Sequence, residues 1–322
     1  MKRVLVTEAL HEAGMALLEA RSDIEIVIAK DTTTETLIEA VVGVHGMAVR
    51  VAKLPAEVLI NANNLEVISR HGVGCDRLDM AHLNGRGIPV MIAAGANAQT
   101  VAEHTMALLL ATARNLIHQD SAIRTGWFNE RLKRLAVDLA GATMLIIGFG
   151  RVGQKLAPLA RAFGMEVVVA DIALNEAAAS ELGCRGVNDF HPELPNADVI
   201  CLHVPLDDTT REFISNEEFA AMKDGTILIN CARGGVVDET AMIAALDSGK
   251  LLAAGLDVFS FEPAPDTQPL FARSDVVLSP HTAAGSLDCI MRSSKMTAQN
   301  ILDFFDGKPR KDCVFNLAEI DF

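Results

Sequence analysis

Short apolar runs alternate with segments of helical spacing along most of the chain. In its N-terminal part, apolar runs of strand length are separated by stretches in which apolar residues recur every three or four positions. Such alternation predicts a mostly parallel sheet with helices on both faces. Thr32, with Glu35 three residues later, predicts a capping box at the start of one of these helices. The predicted strands are "KRVLVT", "IEIVIA", "GMAVRV", "LEVISR" and "PVMIAA".

The strand pattern stops once and then resumes. From Asn97 to about Asp120 the spacing predicts one long helix with no strand signal. A further long helix is predicted from Ser286 to Phe305. Between these helices lie the predicted strands "TMLIIG", "EVVVAD", "DVICLHV", "GTILINC", "AAGLDVF" and "VVLSPH".

Two series of strands and helices joined by two long helices predict two domains. We expect an α/β fold of two doubly wound parallel sheets, which suits a chain of 322 residues of which half are apolar. One domain would comprise residues 1–97 and 286–322, and the other, residues 98–285, would be inserted in it.

Charge and hydropathy exclude some classes of partner. The net charge of −14 is unfavourable for binding nucleic acid, which needs a basic face. No apolar run reaches the roughly 18 residues of a membrane-spanning helix. The apolar stretch in "MKRVLVTEAL" is too short for the core of a signal peptide. We therefore expect a cytoplasmic protein with neither a nucleic-acid nor a membrane partner.

The cysteines and histidines predict no metal site. The six cysteines form no C-x-x-C pair and most lie in apolar surroundings, so we expect buried, reduced thiols. The nine histidines show none of the spacings typical of metal ligands, such as H-E-x-x-H.

The segment "LIIGFGRVGQKLAPLARAFGMEVVVAD" combines three spaced glycines with a final aspartate. Gly148, Gly150 and Gly153 follow a predicted strand, open a predicted helix and match the G-x-G-x-x-G pattern of dinucleotide-binding loops. The N-terminus of that helix would hold the pyrophosphate. Asp171, at the end of the next strand, would accept hydrogen bonds from the adenosine ribose and repel a 2′-phosphate, so NAD is favoured over NADP. The alternative is a plain turn and helix cap followed by a surface acid.

Three later strands end in polar residues of catalytic type. Arg233 follows "TILINCA", Glu262 follows "GLDVFSF" and His281 follows "VVLSP". The carboxyl ends of parallel strands share one edge of the sheet, so we expect the three side chains to converge beside the glycine loop. Arg233 could hold a carboxylate, His281 could exchange a proton, and Glu262 could orient the imidazole and favour its protonated form. Alternatively, Arg233 could be a loop cap, Glu262 a solvated turn residue and His281 a packed histidine at a strand end.

These motifs resemble those of the D-isomer-specific 2-hydroxyacid dehydrogenase family, which includes phosphoglycerate dehydrogenases and hydroxypyruvate or glyoxylate reductases. "GFGRVG" is similar to the family's nucleotide loop, and "NCARGGVVDE", "LDVFSFEP" and "LSPHTAAGS" resemble its arginine, glutamate and histidine motifs, in the family's order. "RHGVGCDRLD" and "ANAQTVAEHTMALLLA" resemble its substrate-domain motif and inter-domain helix. The resemblance covers nearly the whole chain.

The resemblance implies a Rossmann-type NAD domain inserted in a flavodoxin-like substrate domain, and an enzyme that interconverts a D-2-hydroxy acid and its 2-oxo acid. It implies that Arg233 holds the substrate and that His281, paired with Glu262, is the acid–base. Besides the three glycines and Asp171, the cofactor residues that it implies are Arg151, Val152, Ala232 and Asp257. The substrate residues that it implies are Arg50, Gly72, Val73 and Gly74.

Some positions depart from the family or stay open. Val51 stands where many members have a small polar residue, which leaves the pocket for the substrate side chain undetermined. Trp127 matches a position in an arm that reaches the partner subunit, so a homodimer is implied. His71 could meet the substrate, whereas we interpret His104 and His203 as structural.

Three functional hypotheses remain, and none of them names the 2-hydroxy acid. Besides the dehydrogenase, the chain could be an NAD(H)-sensing, corepressor-like protein with little turnover, against which the complete Arg–Glu–His set argues. Oxidation of a small anion such as formate is the third, and Glu262 counts against it because formate-oxidising relatives carry glutamine there. About 40 residues follow His281, so we expect no further regulatory domain in that segment.

Overall fold

The structure is a computed structural model that describes residues 1–129 and 135–322. It divides into two compact units, one formed by Met1–Asn97 with Gly285–Phe322 and the other by Ala98–Ala284. The strands are β1 (Lys2–Val6), β2 (Ile24–Ile28), β3 (Gly46–Val49), β4 (Val67–Arg70), β5 (Val90–Ile92), β6 (Thr143–Ile147), β7 (Glu166–Ala170), β8 (Arg185–Val187), β9 (Val199–Leu202), β10 (Thr226–Asn230), β11 (Leu251–Leu256) and β12 (Val276–Leu278). The α-helices are α1 (Glu12–Glu19), α2 (Thr34–Ala40), α3 (Ala56–Leu59), α4 (Met80–Gly85), α5 (Ala98–Ala113), α6 (Leu116–Arg124), α7 (Gly153–Ala162), α8 (Glu176–Glu181), α9 (Asn216–Ala221), α10 (Glu239–Asp247) and α11 (Leu287–Phe305).

The first unit contains a five-stranded parallel sheet in the order β2-β1-β3-β4-β5. Each of the five apolar runs predicted in the N-terminal part forms one of its strands. The order reverses between β1 and β3, which is the flavodoxin-like arrangement, and the loops after these strands lie at one edge of the sheet.

Helices cover both faces of this sheet. On one face, Ile301 of α11 packs in a cluster with Val4, and on the other a second cluster surrounds Met47. α1 packs so closely on α11 that a Cβ at Gly14 would lie 2.5 Å from the carbonyl oxygen of Ser294. The C-terminal helix therefore belongs to the core of the first unit.

α2 begins one residue later than predicted. Its N-cap is Thr33, whose hydroxyl accepts a hydrogen bond from Thr36 N–H, so the capping box predicted at Thr32 and Glu35 is wrong. The carboxylate of Asp31 accepts hydrogen bonds from both the N–H and the hydroxyl of Thr33. This local turn fixes Thr33 as the cap.

The second unit contains a seven-stranded parallel sheet in the order β12-β11-β10-β9-β6-β7-β8. Counted within the unit, this is the Rossmann order with one added strand, and the topological switch point lies between β6 and β9. The six predicted strands are present. The sequence did not predict β8, an edge strand that pairs only with β7.

The segment predicted as one long helix forms two helices. α5 ends at Ala113 and α6 begins at Leu116. Asn115 between them has a φ of 52°, a left-handed conformation that ends a helix and that asparagine tolerates better than most residues. The apolar spacing continues from α5 into α6, so the sequence pattern could not reveal the break between the two helices.

Two further findings concern membranes and metals. Within the described part of the chain, no helix has both the length and the apolar character needed to cross a bilayer. In the same residues, no group of three or more His, Cys, Asp or Glu side chains is arranged to hold a metal ion.

Candidate active site

The glycine loop connects β6 to α7 at the switch point of the second sheet. Gly148 has a φ of 99°, and a Cβ there would lie 2.6 Å from the carbonyl carbon of His203, which follows β9. Glycine alone accepts both this conformation and this close approach. The loop therefore lies at the ends of β6 and β9, where ligands of such sheets bind.

The rest of the loop leaves its backbone approachable. A Cβ at Gly153 would lie 2.4 Å from Gly148 O, so the first turn of α7 packs closely on the loop, whereas no atom lies within 4 Å of a Cβ at Gly150. Arg151 is exposed, and the half-buried Val152 is the N-cap of α7. The first N–H groups of α7 are suited to an anion such as a pyrophosphate.

Asp171 follows β7 and contacts the glycine loop. Its Oδ2 accepts a hydrogen bond from Phe149 N–H at 2.8 Å, and its Oδ1 accepts one from Ala173 N–H at 2.9 Å. Each carboxylate oxygen keeps a further lone pair for a hydroxyl donor. The open backbone at Gly150, the N-terminus of α7 and this carboxylate fit a dinucleotide without a 2′-phosphate.

Asn230, the last residue of β10, holds the segment that carries Arg233. Its side chain is 1% exposed, its Nδ2 donates to Arg233 O at 2.9 Å, and its Oδ1 accepts from Ala232 N–H at 3.0 Å. A Cβ at Gly234 would lie 1.9 Å from the carbonyl carbon of Phe259. The segment after Arg233 is therefore packed directly on the loop that follows β11.

Glu239 holds that loop, which carries Glu262. Glu239 is the first residue of α10, and its carboxylate accepts hydrogen bonds from Ser260 N–H at 2.8 Å and from the side-chain amide of Gln268 at 2.9 Å. The two donors lie on either side of Glu262 in the chain. One carboxylate thus ties both arms of the loop to the start of α10.

Glu262 and His281 are in direct contact. Glu262 Oε2 lies 2.6 Å from His281 Nδ1, and Oε1 accepts from Phe259 N–H at 3.2 Å. His281 has a φ of 53°, which is uncommon outside glycine, and its N–H donates to Asp257 O at 2.7 Å. The side chains of Glu262 and His281 are 27% and 48% exposed, so the pair is accessible from solvent.

The surroundings of Glu262 favour its ionised form. Burial alone would raise the pKa of Glu262, but the hydrogen bond and charge of His281 outweigh burial and hold the pKa below its ordinary value. The Phe259 N–H and the charge of Arg233 act in the same direction. An ionised carboxylate only accepts, so His281 Nδ1 carries the hydrogen of this bond and Nε2 is left for another partner.

Asp257 follows β11 and holds the residues after His281. Its side chain is 1% exposed, its Oδ1 accepts from Thr282 N–H at 2.8 Å, and its Oδ2 accepts from Ala283 N–H at 2.9 Å. With the bond from His281 N–H to the Asp257 carbonyl, three successive N–H groups of the turn donate to this one residue.

Arg50 lies in the first unit, directly after β3. Its N–H donates to Glu8 at 3.1 Å, and the N–H of the next residue, Val51, donates to the same carboxylate at 2.9 Å. Glu8 therefore fixes the start of this loop. The Val51 side chain is 54% exposed.

Gly72, Val73 and Gly74 follow β4 in the same unit and are half-buried. Gly72 has a φ of 143°, and Arg70 Nε donates to Gly74 O at 2.8 Å. Burial lowers the pKa of Arg70 from its ordinary value. Its guanidinium closes the loop by a bond to the backbone.

Two further histidines, His71 in the first unit and His203 in the second, are held neutral by burial. Burial lowers the pKa of His71, whose Nε2 lies 3.0 Å from Ser294 Oγ. Burial also lowers the pKa of His203 to about 4, and its Nε2 has no hydrogen-bond partner among the residues that the structure describes. The contact with Ser294 ties His71 to α11.

Three residues that hold the site were not identified from the sequence. Asn230 is a polar residue at the end of an apolar strand, which is the same pattern by which Arg233 was identified. Ser279, directly after the apolar strand β12, shows the same pattern, whereas Glu239 lies in a segment with no such distinction. Ser279 Oγ donates to Asp257 Oδ1 at 2.6 Å, a contact across 22 residues of sequence.

Comparison with known proteins gives the family. The family model "D-isomer specific 2-hydroxyacid dehydrogenase, NAD binding domain" matches residues 106–283. The chain belongs to the D-isomer-specific 2-hydroxyacid dehydrogenase family. This confirms the resemblance seen in the sequence motifs, the two-domain fold with a Rossmann-type NAD domain, and NAD as the class of cofactor.

Relatives in the dehydrogenase family match most of the chain. The D-3-phosphoglycerate dehydrogenase of Methanocaldococcus jannaschii is 37% identical over 316 residues, which are 98% of this chain but only 59% of that protein. The hydroxypyruvate reductase of Thermotoga maritima is 36% identical over 294 residues, 90% of this chain and 94% of that protein. A D-lactate dehydrogenase of Aquifex aeolicus, solved with NAD and lactic acid, superposes with a TM-score of 0.85 at 30% identity over 95% of this chain and 96% of that one.

Proposed function

We propose that this chain is an NAD-dependent oxidoreductase that interconverts a D-2-hydroxy acid and its 2-oxo acid. The observation that carries the proposal is the 2.6 Å contact between Glu262 and His281 in the NAD-binding domain. An imidazole held by a carboxylate can pass a proton near neutral pH, and reduction of a carbonyl requires a proton as hydride arrives at its carbon.

The proposed cofactor residues belong to the glycine loop and the neighbouring strand ends. NADH, when bound, supplies the hydride. The first N–H groups of α7 would hold the pyrophosphate, and the carboxylate of Asp171 would accept from the adenosine ribose. The full proposed set is Gly148, Gly150, Arg151, Val152, Gly153, Asp171, Ala232 and Asp257.

His281 is the proposed acid–base. Its Nδ1–H is committed to Glu262, so Nε2 gives its proton to the carbonyl oxygen in reduction and takes the hydroxyl proton in oxidation. Glu262 keeps the ring oriented and stabilises the imidazolium that reduction needs. Arg233 would donate to the substrate carboxylate with its planar fork, which fixes the orientation of the reacting carbon.

The division of labour between the units is also a proposal. We assign residues 1–97 and 286–322 to the substrate domain and residues 98–285 to the dinucleotide-binding domain. In the substrate domain, Arg50 would meet an anionic group of the substrate and the backbone of Gly72, Val73 and Gly74 would meet its carboxylate. Which 2-hydroxy acid is used is for the assay below to decide.

We further propose a homodimer located in the cytoplasm. Support for the dimer comes from α6 and the residues after it, where several large apolar side chains are more than half exposed: Leu116, Ile117, Ile123, Trp127 and Phe128. A patch of this kind is typical of an interaction surface. Sedimentation of the purified protein would test the dimer, and a monomer at micromolar concentration would contradict it.

The test of activity is the loss of NADH absorbance with hydroxypyruvate, glyoxylate, phosphohydroxypyruvate, sulfopyruvate and pyruvate, each repeated with NADPH. With the best substrate, we expect His281→Ala to slow turnover about 10²–10⁴-fold while NADH binding survives. Arg233→Ala should chiefly lower kcat/KM for the 2-oxo acid. His191→Ala is the matched control, because His191 precedes β9 and so lies at the opposite edge of the sheet. NADH binding with no turnover of any 2-oxo acid would instead favour a nucleotide sensor.

A further inference from the structure

His104, interpreted from the sequence as a structural histidine of α5, contacts the strand end that carries His281. Its Nε2 lies 2.9 Å from Ser279 Oγ and 3.5 Å from Asp257 Oδ1. Ser279 is separated from His104 by 175 residues of sequence and follows β12 directly. The contact therefore joins α5 to the turn that begins at Ser279.

The direction of these hydrogen bonds can be derived from the groups present. Ser279 Oγ donates its one hydrogen to Asp257 Oδ1 at 2.6 Å. The hydroxyl can then only accept from His104, so His104 Nε2 must carry a hydrogen. The chain of donors runs from His104 through Ser279 to Asp257, and the ring of His104 has a defined protonation at Nε2.

Asp257 connects this series of hydrogen bonds to the turn that carries His281. Its carboxylate is 1% exposed and also accepts the N–H groups of Thr282 and Ala283. Its carbonyl accepts the N–H of His281, which has the left-handed φ of 53°. A turn in that conformation persists only where its surroundings fix it.

The ionisation of Asp257 depends on the same contacts. Burial alone would raise the pKa of Asp257, but the hydrogen bond from His104, followed by that from Ser279, lowers it below its ordinary value. The N–H groups of the turn contribute in the same direction. A buried carboxylate that loses these donors is costly to keep charged, which weakens its hold on the turn.

We propose that His104 is a positioning residue for His281 and acts through Ser279 and Asp257. The inference rests on the proposed function, because its consequence is the placement of the acid–base. Within the described part of the chain, His104 makes no hydrogen bond or ion pair with Glu262 or with the imidazole of His281, so its effect is carried by the turn. A small displacement of a proton donor lowers the rate of the chemical step more than it weakens substrate binding.

The test compares four single variants of the whole protein and the double variant His104→Leu/Ser279→Ala. His104→Leu removes the donor, and His104→Gln places an amide N–H near the position of Nε2. Ser279→Ala removes the hydroxyl that links His104 to Asp257 by hydrogen bonds. Thr112→Val is the matched control, because Thr112 lies on α5, is 4% exposed, and its hydroxyl has no hydrogen-bond partner within residues 1–129 and 135–322.

We expect His104→Leu to lower kcat about tenfold with KM for the 2-oxo acid changed less than about twofold, and His104→Gln to recover most of the loss. Ser279→Ala should lower kcat similarly, and the double variant should be no slower than the slower single variant, since both break one chain. Additive losses, a loss confined to KM, or no rescue by glutamine would overturn the proposal.

A second measurement does not depend on turnover. Hydrogen exchange of the Thr282 and Ala283 amides, which donate to Asp257, should be faster in His104→Leu and unchanged in Thr112→Val. Equal exchange in wild type and His104→Leu refutes the inference even in an inactive protein. If the wild type reduces none of the 2-oxo acids but exchange responds as expected, the proposed function fails while the positioning contact stands.

Discussion

Replacing Glu262 with glutamine would remove the negative charge beside His281 and keep an oxygen that can accept from Nδ1. In the structure a carboxylate oxygen of Glu262 lies 2.6 Å from Nδ1 of His281, and a negative charge at that distance stabilises a positively charged partner. Reduction of a 2-oxo acid needs the protonated imidazole, and oxidation of the hydroxy acid needs the neutral ring. We therefore expect Glu262→Gln to move the pH dependence of both directions to lower pH.

The size of the shift follows from the distance and the exposure of the two groups. Two unit charges about 4 Å apart interact by about 1 kcal/mol in water and about 4 kcal/mol at an effective dielectric constant of about 20. The His281 and Glu262 side chains are 48% and 27% exposed, so the lower part of this range applies. About 1.5 kcal/mol corresponds to a shift of about one pH unit.

Glu262 itself should not titrate in the measured range. Its pKa is depressed, so the carboxylate is ionised at every pH above the ordinary carboxyl value and the attraction is lost only as the pH falls through the lowered pKa. A change of rate at higher pH therefore does not come from titration of the Glu262 carboxylate.

The assay is the initial rate of NADH oxidation with saturating cofactor, which gives kcat/KM for the 2-oxo acid at each pH. The wild type, Glu262→Gln and Glu181→Gln would be compared, the last removing an exposed carboxylate at the end of α8. We expect the fall at high pH to begin about one unit lower in Glu262→Gln alone. Superimposable profiles for all three would show that the charge at position 262 does not govern proton transfer.

Three further changes test the loops that hold the site. Gly148→Ala should destabilise the protein by more than about 2 kcal/mol in thermal unfolding and abolish NADH binding, because its Cβ would overlap the backbone of His203 at 2.6 Å; normal stability would refute the close approach. Asp171→Asn should lower the ratio of kcat/KM with NADH to that with NADPH at least about tenfold, since it removes the charge that repels a 2′-phosphate; an unchanged ratio would assign cofactor choice to other residues. Glu239→Gln should lower kcat about two- to tenfold by replacing one of the two acceptors that hold the loop at Ser260 and Gln268, and a change only in melting temperature would give Glu239 a purely structural role.

The strands other than β8 could be predicted from the sequence because each contains an apolar run, and in the central strands of both sheets that run is buried on both faces. β8 could not, because its three residues are half-buried or exposed and it forms a strand only by pairing with β7. The break between α5 and α6 depends on the backbone of Asn115, which apolar spacing does not report. In both cases the information lies in a backbone contact or conformation, and the hydropathy pattern carries none of it.

The candidate site likewise contains residues that the sequence could predict and residues that it could not. Arg233, Glu262 and His281 were selected because they are polar residues that follow buried strands, and in the structure they extend from the ends of the adjacent strands β10, β11 and β12. The residues that hold them act across long separations of sequence. Glu239 reaches a loop 21 residues later, and His104 reaches β12 across 175 residues. A single sequence gives no sign of such pairs.

The burial of Asp257 limits how the site can respond to substrate. A carboxylate that is 1% exposed must have its oxygens satisfied, and a hydroxyl and two N–H groups of the turn, at Thr282 and Ala283, donate to them. Releasing the turn would remove two N–H donors from a buried charge, and each lost donor costs about 1–3 kcal/mol. The turn is therefore stable in one arrangement, and the left-handed backbone of His281 is set before any ligand binds. Glu262 is held separately, by the N–H of Phe259 and by the contact of its loop with Glu239. The imidazole of His281 and the carboxylate of Glu262 are therefore each positioned by their own loop. The contacts of the fold therefore position the imidazole that we propose as the proton donor.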